Sequence, residues 1–261
     1  MFQFQYNDID ISHKLDKASS PTDEYFKHMH PFVEIVFFTS GKVEYNVEGE
    51  KRRLKTNDCI FIMPGKLHFA EVDRGVLYER YVLKFPEALI PKHLLQFFKE
   101  SSPFYRLNND AVSIFKSLDY FYQLVNDENM ECIAKSKILE LLIILNLLKK
   151  EEGSPDRTLI ILQITNYIQN HLEENIVLGD IAKELSYSES YISSYFKKEM
   201  HISIMKYIRT KKIIYAHTLI QNGEKPYEVC EKMKFNDYST FYRQYLRVVG
   251  ISPSDDYKKS K

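Results

Sequence analysis

The residues with the most chemical capacity lie early in the chain. His28-Met29-His30 is followed by Glu34 and, three residues beyond Gly65, by His68. Imidazole nitrogens and a carboxylate are the donors that suit Fe, Mn, Ni or Zn. Strand alternation would place the His28 and His30 side chains on one face. The same groups also suit the polar lining of an effector pocket, for which His30, Glu34, Tyr45, His68 and Arg80 are the candidates. No nucleophile motif, phosphate-binding loop or dinucleotide fingerprint accompanies them. Cys59, Cys132 and Cys230 are far apart and lack metal-ligand spacing, which reads as reduced thiols in a cytoplasmic protein.

A second constellation lies near the C-terminal end and is written twice. In the first copy, Ile181, Ala182 and Leu185 mark a short helix. Ser186-Tyr187-Ser188 makes a turn, and Ile192 and Phe196, four residues apart, anchor a second helix from its buried face. In the second copy Val229 and Cys230 replace Ile181 and Ala182, and Phe241 and Tyr245 replace Ile192 and Phe196. The turn there is one residue longer. A small residue on the first helix lets two helices cross closely, as a helix-turn-helix requires. Between the copies, Met205 to Gln221 reads as a helix of about 25 Å. Such a rod suits two recognition helices placed in successive major grooves about 34 Å apart. Lys197, Lys198 and Arg247 could neutralise phosphates. On an isolated helix the same residues would simply be solvated.

The elements that must position these groups change character along the chain. Val33 to Phe38, Val43 to Val47, Cys59 to Met63 and Tyr81 to Phe85 read as short strands. Turn signals at Ser40-Gly41, Glu48-Gly49, Asn57-Asp58 and Pro64-Gly65 separate them, as in a barrel or sandwich. After Pro91 the period becomes helical, with helices expected around Leu94 to Phe98, over Asn109 to Val125 and over Cys132 to Lys150. Glu151-Glu152-Gly153-Ser154-Pro155 is the expected linker. This divides the chain into 1–90, a barrel; 91–153, a helical connector; and 155–261, an all-helical part with units at 178–199 and 226–247. The fold class is therefore α+β.

Charge follows the same division. The 261 residues carry 36 basic and 36 acidic side chains. Residues 155–261 hold 16 basic against 13 acidic, and the remainder 20 against 23. The bias is mild, but it favours nucleic acid at the C-terminal end. The N-terminus lacks the apolar core of a signal peptide, and Ile138 to Leu148 is too short and too polar to span a bilayer. No membrane partner is expected.

The C-terminal residues resemble the AraC/XylS family of bacterial transcription regulators. The resemblance rests on Lys234-Phe235, on Ser239 to Tyr245 and on Gly250-Ile251-Ser252-Pro253, with Arg209 and Ala216 in the linker helix. Lys234 and His201 stand where the family has glycine, and Leu246 where it usually has lysine. The resemblance implies base reading by Ser190, Ser193 and Ser194 in the first unit and by Tyr238, Ser239 and Arg243 in the second. Arg243 could bind guanine through two hydrogen bonds, whereas serines discriminate little. The first unit would then set register more than sequence.

The N-terminal motif in turn resembles that of a cupin barrel, in whose metal-binding members two histidines, the glutamate and a later histidine converge on one ion. In AraC-type regulators the barrel usually binds an effector without metal. The expectation is accordingly a metal-free pocket for a sugar or other small polar metabolite, with no cofactor. A cation on His28, His30, Glu34 and His68 is the alternative. The implied protein is a cytoplasmic, non-enzymatic regulator of double-stranded DNA. It would be a homodimer through the helices of 91–153, with RNA polymerase as a further partner. A metal-dependent cupin dioxygenase or isomerase is the rival reading, and it leaves the C-terminal repeat unexplained.

Overall fold

Period-two alternation starts at the first residues. Phe2 and Phe4 are buried while Gln3 and Gln5 are exposed along β1 (Phe2–Tyr6). β1 turns at Asn7 into β2 (Ile9–Lys17). These two strands were not among the sequence expectations. The structure is a computed structural model that describes residues 1–17, 27–148 and 159–260. The expected linker from Glu151 to Pro155 and the boundary between 153 and 155 lie outside those residues.

The expected strands appear as β3 (Val33–Ser40), β4 (Val43–Val47), β6 (Asp58–Ile62) and β8 (Leu77–Phe85). β5 (Glu50–Arg53) and β7 (His68–Val72) lie between them. β9 (Phe104–Arg106) arises inside the helical connector and pairs with β6. The barrel therefore draws a strand from beyond residue 90, and three residues carry too little periodicity to announce it.

All pairings are antiparallel and form two sheets, ordered β1-β2-β8-β3-β6-β9 and β5-β4-β7. β3 shows how they stack. Val33, Ile35 and Phe37 point into a core shared with helices α1 (Lys92–Glu100), α2 (Asn109–Tyr122) and α3 (Asp127–Leu147). Val36 and Phe38 point the other way, into a core shared with Val43, Tyr45 and Val47 of the small sheet. Strands covered on both faces read as continuous apolar runs, as β3 does. Asn108 and Asn126 cap α2 and α3 by accepting hydrogen bonds from the Ala111 and Asn129 amides.

The C-terminal part is helical throughout: α4 (Leu159–Asn170), α5 (Leu178–Glu184), α6 (Glu189–Met200), α7 (Ile204–Gln221), α8 (Pro226–Lys232), α9 (Tyr238–Val249) and α10 (Pro253–Lys259). One core runs through all of it, from Ile161 through Phe196 and Tyr207 to Tyr245. Among the described residues no helix is long and apolar enough to cross a membrane.

Candidate functional site

The barrel's polar residues fall into two adjoining groups. One is a cluster in which donor atoms of His28, His30, Glu34 and His68 all lie within 4.8 Å of one another. His28 and His68 are brought together by a backbone bridge between them, and not by a shared strand face. His30 Nδ1 lies 3.0 Å from the Phe32 carbonyl and Nε2 lies 2.8 Å from Glu34 Oε2. Both partners are acceptors when Glu34 is ionised. The arrangement is satisfied by a proton on each ring nitrogen, or by a cation in place of the second proton. Burial raises the Glu34 carboxyl. The His30 hydrogen bond and charge, helped by His68 and Lys84, outweigh that and hold it well below the usual carboxylate range.

His68 is fully buried. Its Nδ1 donates to the Lys66 carbonyl at 2.8 Å, and its Nε2, 3.8 Å from Glu34 Oε2, has no hydrogen-bond partner among the described residues. Burial first, and the neighbouring His30 second, push its pKa well down. A neutral ring with a bonded Nδ1–H and an unshared Nε2 lone pair is the state in which histidine binds metals. The residues present therefore fit a divalent ion.

The second group lines a cavity of about 150 Å³, and His28 and Glu34 belong to both groups. Of the expected effector residues, Glu34, Tyr45 and Arg80 line it, whereas His30 and His68 do not. Arg80 donates to Asp16 at 2.7 Å and lies over the Tyr78 ring at 4.3 Å. Burial, and then the Glu34 charge, push the Tyr45 hydroxyl well up, so it stays a donor. Asp10, Ser12 and Lys14 from β2, and Lys84 from β8, complete the wall. These were missed. Their signal was a polar residue at every second position of β2 and again at Arg80 and Lys84, with Val82 between them on the same face.

In the helical part, Ser188 caps α6 by accepting from the Tyr191 amide at 3.2 Å, and Asp237 caps α9 by accepting from Thr240 at 2.7 Å. Ile192, Phe196 and Met200 bury one face of α6, and Phe241 and Tyr245 one face of α9. On the opposite faces Ser190, Ser194, Lys197 and Lys198 are exposed, as are Ser239, Arg243 and Arg247. Ser193 and Tyr238 are half-buried. Arg243 reaches back to the Ser239 carbonyl at 3.4 Å along the helix surface. The sequence reading missed a row of tyrosines beside the first recognition face: Tyr187, Tyr191 and Tyr195, stacked at 5.1 and 5.6 Å. Their spacing of four residues was visible in the sequence.

The two units repeat down to their caps. Ser186 and Lys234 follow the first helix of each unit, at φ 59 and 57. His201 and Gly250 follow the second, at φ 57 and 90. Ser203 and Ser252 then cap α7 and α10. The extra residue of the second unit falls between Lys234 and Asp237. The positions where Lys234 and His201 replace a family glycine thus keep a glycine's backbone. Between the units, buried Lys212 on α7 donates to the carbonyls of Glu174, just ahead of the first unit, at 2.6 Å and of Met233 in the second at 2.8 Å. Asp256 on α10 accepts from His217, Gln221 and Tyr245 and locks α7, α9 and α10 together.

Comparison with known proteins agrees with this division. The family model described as an AraC-like ligand binding domain matches residues 15–132, and that described as a helix-turn-helix domain matches residues 181–259. An uncharacterized response regulatory protein of Staphylococcus epidermidis is 31% identical over 99 residues, which are 38% of this chain and 39% of the relative. The transcriptional regulatory protein HptR of Staphylococcus aureus is 28% identical over the same length. The chain spans about two fifths of the length of these curated relatives. Among solved structures, unsaturated fatty acid bound ToxT of Vibrio cholerae aligns over 95% of this chain and 94% of its own, with 12% identity and a TM-score of 0.44. The C-terminal domain of AraT, a response regulator from Geobacillus stearothermophilus, aligns over 39% and 86%, with 24% identity and a TM-score of 0.37. With a ligand-binding barrel of the AraC type and a double helix-turn-helix in one chain, the protein belongs to the AraC family.

Proposed function

We propose that the protein is a sequence-specific transcription regulator that binds double-stranded DNA under the control of a small molecule held in its barrel. The observation that carries this is the cap-for-cap repetition of the two units, each presenting an exposed polar and basic helix face over an apolar anchor. The barrel cavity supplies a place for the controlling ligand. A ligand can shift the arrangement only by binding one form better than another. Both family models describe binding modules, which argues against the rival cupin enzyme. Selection of bound duplexes from a random pool by the full chain tests the reading. Recovery of one recurrent motif supports it, and recovery of unselected sequence overturns it.

A homodimer is part of the proposal. Leu139, Ile143 and Leu147 form an exposed stripe at helical spacing on α3, with Ile143 52% and Leu147 74% exposed. Base reading by the serines, Tyr238 and Arg243, contact with RNA polymerase and a cytoplasmic location complete the reading.

The His68 lone pair favours a second reading of the barrel, in which a divalent transition-metal ion is bound by His28, His30, Glu34 and His68. The ion would supply a fixed positive charge beside the cavity. Elemental analysis of the purified full chain, alongside His30→Ala, decides between the readings. Stoichiometric metal that the substitution removes establishes the ion; none in either protein leaves the pocket metal-free.

A further inference from the structure

Two tight turns of the barrel press against the helical domain. In the turn between β4 and β5, Glu48 and Gly49 are both left-handed, at φ 51 and 84. Gly49 is required: a Cβ there would stand 3.0 Å from Ile161 and 3.6 Å from Met200. Glu48 is the unexpected residue, because Asn, Asp or Gly ordinarily fills such a position. Its buried carboxylate accepts from the Leu67 amide at 2.7 Å through one oxygen and from the Tyr207 hydroxyl at 2.7 Å through the other. The Glu48 amide in turn donates to the Leu67 carbonyl at 2.8 Å.

The second turn, from Pro64 to Leu67, has an end in each half. The Gly65 amide donates to the His30 carbonyl at 2.9 Å, and His68 follows as part of the histidine cluster. Leu67 itself is buried in the core of the helical domain. Tyr207, held by Glu48, packs edge-on against Phe196 of the first recognition helix at 5.3 Å. Its ring therefore sits where α7 crosses α6, and α7 carries the second unit through Lys212 at its middle and through His217, bonded to Asp256, nearer its other end.

We infer that Glu48 is a positioning residue that fixes α7 against α6 and thereby sets the spacing at which the two recognition helices meet DNA. The inference rests on the DNA-binding reading above. It gives the barrel a defined lever, since a shift at His68 reaches Tyr207 through Leu67 and Glu48.

The test uses the full chain and the motif that the wild type selects, rebuilt as a library with one base pair added or removed between its two halves. The wild type should prefer its own spacing by about tenfold. Tyr207→Phe keeps the ring and removes the hydroxyl, and Glu48→Gln keeps the shape; in each, the preference should fall to about twofold. The double variant should be no worse than either, because both changes act on one contact. In Tyr207→Phe, amide exchange should also quicken in both 64–68 and 204–214. A uniform loss of affinity at unchanged spacing, or unchanged exchange at 64–68, would show Glu48 to be structural only and overturn the inference. A wild type that selects no motif removes the DNA-binding reading and this inference together.

Discussion

A lysine held at φ 57 is under backbone strain that a glycine would not feel, and Lys234 carries that strain on an exposed turn. Lys234→Gly should stabilise the protein by about 1 kcal/mol, read as a raised denaturant midpoint. His201 shares the conformation, but its ring lies 5.6 Å from Phe69 of the barrel, so His201→Gly should gain less. Equal gains would show that the Phe69 contact contributes nothing. Under the proposed reading, base discrimination turns on Arg243. Arg243→Ala should relax preference at one base pair and cost about 1–3 kcal/mol, measured by binding to every single-base variant of the selected site. An unchanged preference would mean that another residue reads that base. The left-handed positions were marked in the sequence only by the family glycines missing at Lys234 and His201. The conformation is fixed by the cap geometry, so it survives the loss of the glycine.

At the scale of elements, α7 is the joint. Lys212 is buried to give its ammonium two carbonyl partners, one near each unit. Lys212→Met would fill the space and leave both carbonyls unsatisfied. The expected loss is about 2–3 kcal/mol in urea denaturation. The far end of α7 depends on Asp256. Burial raises that carboxyl, but His217 and Tyr245 outweigh it and hold it low. A lowered folded value means that the stabilisation is fully present above about pH 4 and is lost as pH falls through the lowered value. Amide exchange in α10 should therefore quicken only in acid, and Asp256→Asn should abolish that dependence; an acid response intact in the variant would point elsewhere. The helices were legible because Ile192, Phe196, Phe241 and Tyr245 recur at one helical spacing. The barrel was legible only in its apolar runs. β1 was missed because Phe2 to Gln5 alternates over only four residues, β2 because His13 and Lys17 interrupt its apolar positions, and β9 because it is shorter still. Asp10, Ser12 and Lys14 of the pocket wall were lost with β2.

Across the whole molecule, the exposed stripe on α3 bears on assembly. Ile143→Asp should convert a dimer to a monomer in sedimentation and weaken binding to a paired site, without altering the single-site motif. Sedimentation identical to wild type would exclude that face. The change of period at Pro91 marked where helices begin, but nothing in the sequence marked the contact between the barrel and the helical domain. Glu48, Leu67 and Tyr207 are distant in sequence and meet only through the fold. The barrel cavity has a consequence of its own. At about 150 Å³ it equals a cavity that accommodates a benzene molecule. A monosaccharide has roughly twice as many heavy atoms as benzene, so the expected sugar would fill this space and extend through its open side. Under the proposed reading, a screen of candidate effectors should therefore include short-chain acids, small amides and ions as well as sugars.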